Sequence, residues 1–245
     1  MSNISVCIAT YNGENYIESQ LISILTELNI KDEVIIVDDC SSDDTIKVIR
    51  SISDSRIKLF FNEKNIGHIK SFERAINLST GSVIFLSDQD DVWISGRVVD
   101  MVQKMQDDNS NILFSSFNSI DENGRELNKK ILLSDKKASS FNLILKIFLG
   151  RSNYWGCSMC LNRSFLDIAL PIPKSVEAHD IWFALVGCYT NKITNYSQIT
   201  LLHRFHAFNQ TPKRRRSLIK VLISRVGYIV QLVIISARKG RGVNN

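Results

Sequence analysis

The chain has 245 residues, 44% of them hydrophobic and 22% charged, with only 11 glycines and 3 prolines. That length suits one large α/β domain or two small ones, and the composition excludes fibrous and low-complexity classes. The net charge of +5 conceals a division: no acidic residue follows Asp180, so an acidic body carries a strongly basic C-terminal tail.

Ile4 to Ala9 reads as a short strand, ended by the turn signal Thr10-Tyr11-Asn12-Gly13. From Tyr16 to Leu28, apolar residues recur at helical spacing. Glu33 to Val37 is a second strand ending on Asp38-Asp39, and Asp43 or Asp44 is placed to cap a helix running to Ile52. A third strand, Ile57 to Phe61, turns through Asn65-Ile66-Gly67 into a helix from His68 to about Leu78, with Gly81 as its stop. Val83 to Leu86 is a fourth strand, which ends abruptly in Asp88, Asp90 and Asp91. Strands alternating with helices through short connections predict βαβ units and a doubly wound, mostly parallel, Rossmann-like sheet. Three of these strands end in polar or acidic clusters, and ligands bind outside such carboxyl ends. No Gly-x-Gly-x-x-Gly follows the first strand and no Walker A sequence occurs, so both nucleotide fingerprints are missing.

In the second half, Val98 to Met105 reads as a helix, Ile112 to Phe117 as a strand and Asp121 to Gly124 as a turn. Phe141 to Leu149 is an apolar helix, Trp155 to Leu161 a strand, and Arg163 to Ala169 a helix stopped by Pro171 and Pro173. Glu177 to Asp180 then opens an apolar helix from Ile181 to Cys188, where an acid at the N-terminus suits the helix dipole. Five scattered cysteines predict reduced thiols in a cytosolic setting, and Cys157-x-x-Cys160 lacks the second pair of a zinc site. The chain opens almost directly into a strand, so no cleaved leader is expected.

Asp88, Asp90 and Asp91 crowd together, and like charges this close are costly unless something positive sits among them. Oxygen ligands suit Mg²⁺ or Mn²⁺, which bring substrate phosphates along. The plainer reading is an acidic, solvated strand-to-loop turn.

Ser5 to Tyr11, Val37 to Asp43, Asn65-Ile66-Gly67 and above all Leu86-Ser87-Asp88-Gln89-Asp90-Asp91-Val92-Trp93 resemble glycosyltransferase family 2. The likeness is strongest to its bacterial rhamnosyltransferase-like members, which build cell-surface polysaccharides. Gly156 to Met159, Leu170 to Pro173 and His179-Asp180-Ile181-Trp182 follow in that family's order, and the resemblance spans residues 3–211. It implies a GT-A fold in residues 1–211 and an inverting glycosyltransferase. The donor would be a nucleotide-diphosphate sugar (UDP- or dTDP-, dTDP-rhamnose among them). The acceptor would be a lipid-linked saccharide of O-antigen, capsule or another surface polysaccharide. Carried over by position, Thr10 and Tyr11 line the nucleotide pocket, and Asp38 or Asp39 hydrogen-bonds the base. Asp88-Gln89-Asp90 matches the Asp-x-Asp motif, with Asp90 as the direct metal contact and Asp88 serving both metal and nucleotide. Asp180 matches the base that deprotonates the acceptor hydroxyl. Leu202 to Asn209 resembles a Tyr-Arg-x-His-Gly-Asn-Asn stretch, placing His206 by the metal or diphosphate and Arg204 by phosphate. Here His203 stands for Tyr, and Ala207-Phe208 stand for Gly-Asn. Trp155, Gly156, Cys157, His179 and Trp182 fall on the acceptor side.

Two rivals remain. The stretch from Val83 to Val92 also fits the strand–Asp-x-Asp-x-Val pattern of haloacid-dehalogenase-like phosphatases, although that family places this strand first. A non-catalytic nucleotide-sugar-binding adaptor is the other, against which Asp88, Asp90 and Asp180 argue jointly. Residues 212–245 read as a separate tail. Its uninterrupted apolar part, Val226 to Ala237, is 12 residues, short of the roughly 20 that span a bilayer. An amphipathic helix on the anionic cytoplasmic leaflet is expected, through residues 213–241, making the protein peripheral on the inner face of the bacterial plasma membrane. Nucleic acid is not the expected partner, since basic tails that bind it rarely carry so many Ile, Leu and Val.

Overall fold

Three strands are apolar runs buried on both faces, and they form the middle of one sheet: β1 (Ile4–Thr10), β2 (Glu33–Asp38) and β4 (Val83–Ser87). The structure, a computed structural model, describes residues 3–136, 138–206 and 217–242. Side chains alternate along each strand, so the sheet feeds two cores. Cys7, Ile35, Val37, Ile84 and Leu86 face one core. Val6, Ile8, Val34, Ile36 and Phe85 face the other. The second core takes α1 (Ile17–Leu25), α2 (Thr45–Ser51) and α4 (Arg97–Asp107). The first takes α3 (His68–Leu78), α5 (Ser140–Phe148), α6 (Leu166–Ala169), α7 (His179–Thr190) and one face of α8 (Leu218–Gly242).

The sheet runs in the order β3 (Ile57–Phe61), β2, β1, β4, β8 (Met159–Asn162), β6 (Ile112–Ile120), β9 (Ile193–Arg204) and β5 (Val92–Trp93). β7 (Glu126–Ile131) forms a hairpin with β6. The first four strands are mutually parallel, and β8 enters antiparallel to β4. The expected doubly wound α/β sheet is therefore present, extended by a mixed half that the sequence pattern did not announce.

Three local expectations change. Gly81 does not stop α3, which ends at Ser79 where the backbone turns extended. Instead, a Cβ at Gly81 would lie 2.6 Å from the Ser5 backbone nitrogen, so the glycine permits close approach of two strand ends. Asp44 occupies the α2 N-cap position without a side-chain bond, while Asp43 Oδ1 accepts from Thr45 N at 3.1 Å. The strand expected from Trp155 is a 3₁₀ turn over Gly156–Ser158, and extended pairing begins only at Met159.

α8 is not detached from the domain. Ile235 is buried in the first core, Ser224 Oγ donates to Glu177 Oε2 at 2.8 Å, and Arg238 donates to the carbonyls of Ile168 and Pro171 at 2.8 Å each. Its segment Ile219–Gly240 is long and apolar enough to cross a bilayer by length and composition alone. The junction proposed at residue 212 lies outside the described residues.

Candidate active site

Parallel registration brings the strand ends together. Thr10 lies opposite Asp38, and Ile8 opposite Ser87, so the loops after β1, β2 and β4 leave the sheet along one rim. Gln89 ties two of them: its Oε1 accepts from Tyr11 N at 2.9 Å and its Nε2 donates to Tyr11 O at 3.1 Å. Tyr11 is thereby presented outward, 47% exposed. Thr10 is buried beneath it and donates through Oγ1 to Asp38 Oδ1 at 3.0 Å.

Asp38 and Asp39 are both buried, and both work on loop backbone. Asp38 Oδ2 accepts from Ser41 N at 2.9 Å. Asp39 accepts from Ile66 N, Gly67 N and Asn62 Nδ2, all at 2.8 Å. Gly67, at φ +85°, supplies the left-handed conformation this loop needs. The pair thus builds the wall of the rim rather than projecting from it.

The acidic end of β4 divides into two halves. Antiparallel pairing of Val92 with Leu202 sets Asp91 beside His203, and Asp91 Oδ1 accepts from His203 Nδ1 at 2.8 Å and from Arg204 N at 3.1 Å. Both side chains are buried. Burial opposes the charge on each, yet their mutual attraction wins: the Asp91 carboxyl is lowered, and the His203 imidazole is held up at about 9. Cys157 Sγ lies 3.7 Å from His203 Nδ1, and the ring packs among Phe117, Trp155 and Phe205.

Asp88 and Asp90 face the rim. Burial, reinforced by the charges of Asp91 and Asp90, pushes the Asp88 carboxyl up to about 8. Asp90, mainly through burial, is raised as well, and its Oδ2 lies 2.6 Å from His206 Nε2. The His206 ring sits 4.8 Å from that of Tyr16. Arg204 packs over Tyr16 at 5.0 Å, and its Nε donates to Asp90 O at 2.9 Å. Its Nη1 reaches the carbonyls of Asp121 and Glu122 at 3.2 Å. Arg204 is buried, bracing the end of β9 against the acidic loop.

Two donor sets compete for a cation. Asp88, Asp91, Cys157 and His203 place ligand atoms within 4.8 Å of one another. However, Asp91 is already neutralised by His203, and burial drives the Cys157 thiol far from ionisation. Hard divalent cations also prefer oxygen. Asp88, Asp90 and His206 offer instead two carboxyls, both raised mainly by burial, and an imidazole 2.6 Å from Asp90, a donor set in which oxygen predominates.

Asp180 is the second residue of α7. It is half-buried, its Oδ1 accepts from Ile181 N at 2.7 Å, and burial holds its carboxyl up at about 6. Its charge is also felt at Asp88, where it adds to the upward push. His179 is buried, with its ring 4.8 Å from Phe72 and 5.7 Å from His68. Burial, with the neighbouring His68, pushes its imidazole down to about 3, and neither ring nitrogen has a hydrogen-bond partner among the described residues. Gly156 leaves room for it, since a Cβ there would lie 2.5 Å from His179 Nε2. His68 is exposed and edges onto this ring.

Two acceptor-side expectations are corrected. Trp182, two residues beyond Asp180, points to the opposite side of α7, where it is fully buried and donates from Nε1 to Ala169 O at 2.8 Å. Cys157 is buried against His203, beneath the site. Trp155 and Gly156 remain half-exposed, Gly156 beside His179 and the Trp155 ring against Phe117 and His203. Ala207, Phe208 and Asn209 lie outside the described residues. The Asp91–His203 pair, Gln89 and Tyr16 were not singled out from sequence. The crowding of three carboxylates was the one signal for Asp91, and nothing local pointed to the other three.

A family model described as glycosyl transferase family 2 matches residues 5–168. Among curated relatives, WfgD of Escherichia coli is a UDP-Glc:alpha-D-GlcNAc-diphosphoundecaprenol beta-1,3-glucosyltransferase. It is 30% identical over 120 residues, covering 49% of this chain and 47% of that protein. WfaP of Escherichia coli, of the same description, is 30% identical over 117 residues, covering 48% and 47%. The chain thus matches about half the length of these relatives. The crystal structure of S. aureus TarS 1-349 in complex with UDP-GlcNAc superposes with a TM-score of 0.70 at 20% identity, covering 96% of this chain and 72% of that one. That likeness shows the fold.

Proposed function

Because the chain belongs to glycosyl transferase family 2, we propose that it moves a sugar from a nucleotide-diphosphate sugar to a hydroxyl of a lipid-linked saccharide, with inversion at the anomeric carbon. The observation that carries this reading is Asp180, a carboxyl at the start of α7 that burial holds up at about 6 and whose charge is felt at Asp88. The haloacid-dehalogenase-like alternative falls with the family assignment, since β4 is the fourth strand here and not the first.

Tyr11, over Thr10 and the wall of Asp38 and Asp39, receives the nucleoside end of the donor. Asp88, Asp90 and His206 would hold Mg²⁺ or Mn²⁺, which would supply positive charge against the leaving diphosphate. The Asp180 carboxylate takes the proton of the acceptor hydroxyl as its oxygen attacks the anomeric carbon, and the bond from that carbon to the diphosphate oxygen breaks. Trp155, Gly156 and His179 border the acceptor, and His179 stays neutral there. Arg204 braces the diphosphate side of the rim. UDP-Glc in the names of WfgD and WfaP, and UDP-GlcNAc in the TarS complex, favour a uridine donor over the dTDP-rhamnose suggested by sequence likeness. The diphosphoundecaprenol acceptor in the same names supports a lipid-linked acceptor.

Such an acceptor places the protein on the cytoplasmic face of the plasma membrane, with α8 against the anionic leaflet. α8 lies along the surface in this account, because spanning would strip Ser224 and Arg238 of their partners on the domain. Asp180→Asn tests the catalytic assignment. Transfer from UDP-sugars to a membrane lipid fraction should drop by about three orders of magnitude, with UDP binding retained. Equal loss of binding and transfer would refute the role of base.

A further inference from the structure

α8 is apolar on two sides. One side is docked on the domain through Ile235, while the opposite side presents Ile219, Leu222, Val226, Ile229 and Val233 to solvent, from 54% to 73% exposed. At helical spacing these form one unbroken stripe, with Lys220 and Arg225 at its two borders. α5 repeats the design. Leu143 and Ile147 are buried, whereas Phe141, Leu145 and Leu149, one turn apart, are 73%, 45% and 55% exposed.

The two helices touch through partly buried rings: Phe148 of α5 contacts Tyr228 of α8 with ring centroids 5.6 Å apart. Arg225 runs along the seam, its guanidinium 5.2 Å from the Tyr228 ring and its Nη2 3.0 Å from where a Cβ of Gly150 would lie. Both helices cover the first core, so they lie on the same side of the sheet as α7. Charge identifies what covers them. No Asp or Glu occurs between Asp135 and Asp167 or after Asp180, so neither helix carries a carboxylate, while Lys146, Arg151, Lys220, Arg225 and Lys239 surround the stripes. A second copy would bring like charges together. An anionic lipid surface would not, and cations at the borders of an apolar face can extend to headgroups while the face enters the acyl boundary.

We propose that α5 and α8 together form a two-helix platform that docks on an anionic bilayer, α5 inserting Phe141, Leu145 and Leu149 beside the stripe of α8. This rests on the membrane placement of α8 above and adds a second inserting element from within the catalytic domain. α7, which carries Asp180 at its N-terminus, is the next layer, and packed helices are separated by roughly 8–10 Å. The contacts of α8 with Glu177, Ile168 and Pro171 hold the loop before α7 in the same assembly. The platform therefore sets the acceptor side of the site close above the leaflet in which a lipid-linked saccharide is anchored.

The test uses the full chain and vesicles of phosphatidylcholine with about a third phosphatidylglycerol. The triple variant Phe141→Asn, Leu145→Asn, Leu149→Asn should partition onto them at least ~10-fold more weakly than the parent, with UDP binding and melting temperature unchanged. Phe141→Trp should be quenched by lipids brominated on the acyl chain, beyond the quenching of the parent's own tryptophans. Equal partitioning of triple variant and parent, or no added quenching, would overturn the platform while leaving α8 as the sole anchor. A parent that ignores anionic vesicles would overturn both membrane statements, whereas loss of UDP binding in the parent would strike the transferase reading instead. A parent dimer that the triple variant dissolves would assign the face to a second copy and overturn the lipid assignment.

Discussion

Asp91→Asn removes the carboxylate that does most to keep His203 charged, ahead of Asp88 and Asp90. The imidazole is buried among three aromatic rings, where burial alone would favour the neutral form. Asp91 at 2.8 Å, with Asp88 and Asp90 beyond it, instead raises it from 6.5 to about 9, a difference that corresponds to about 3 kcal/mol. The folded state binds this proton more tightly than the unfolded chain. The stabilisation is therefore complete below pH 6.5 and is lost as pH rises through about 9. The difference in melting temperature between parent and variant should then be largest near pH 6, about 10 °C, and should close by pH 10. Scanning calorimetry across that range checks it, and nitrogen-15 titration of the His203 ring gives an independent reading. A melting difference that stays constant from pH 6 to 10 would refute the charged pair and leave Asp91 as a neutral packing contact.

Asp180 also predicts a pH dependence of the rate. With its carboxyl near 6, sugar transfer at limiting substrate should climb as pH rises through 6 and then level, and a limb centred near 4 would contradict the burial argument. Its ionised form is held at a cost, so Asp180→Asn should raise the melting temperature above pH 6 while abolishing transfer. Gly156→Ala drives a methyl into His179, whose neighbours Phe72 and His68 block retreat; about 1–3 kcal/mol of stability should be lost, read by urea unfolding, with no loss contradicting the packing. At the far end of the sheet, burial pushes the Glu33 carboxyl up, but bonds from Lys58, Ser5 and Thr80 outweigh it and hold it near 2. Its contribution is present above pH 4.5 and fades as pH falls toward 2, so Glu33→Gln should flatten acid unfolding over that window.

The first half of the fold was legible because parallel strands buried on both faces leave continuous apolar runs, and each is followed by a helix of clear period. β9 left no such trace: from Ile193 to Arg204 it mixes Thr, Asn, Ser and Gln with Ile and Leu, and it is fixed by pairing with β6 rather than by its own pattern. β7 lies at the margin, mostly exposed, and β5 is only two residues long. Within the site, the rim residues could be read because they follow strands directly. Asp91 and His203 are 112 positions apart and meet only through the β5–β9 pairing, so no local spacing could have joined them. Trp182 misled for the converse reason. It follows Asp180 closely in sequence, but α7 is enclosed by the sheet and its helical neighbours, so a large apolar ring two residues on belongs to the core.

Calorimetric titration of the purified chain with UDP, with and without Mn²⁺, tests the central claim most directly, since donor and cation must share the rim of Asp88, Asp90 and His206. Tight binding that needs the metal, is lost in Asp90→Ala and survives in Asp180→Asn is the predicted result. UDP binding that is absent under every condition, or is indifferent to both the metal and Asp90, would contradict the account.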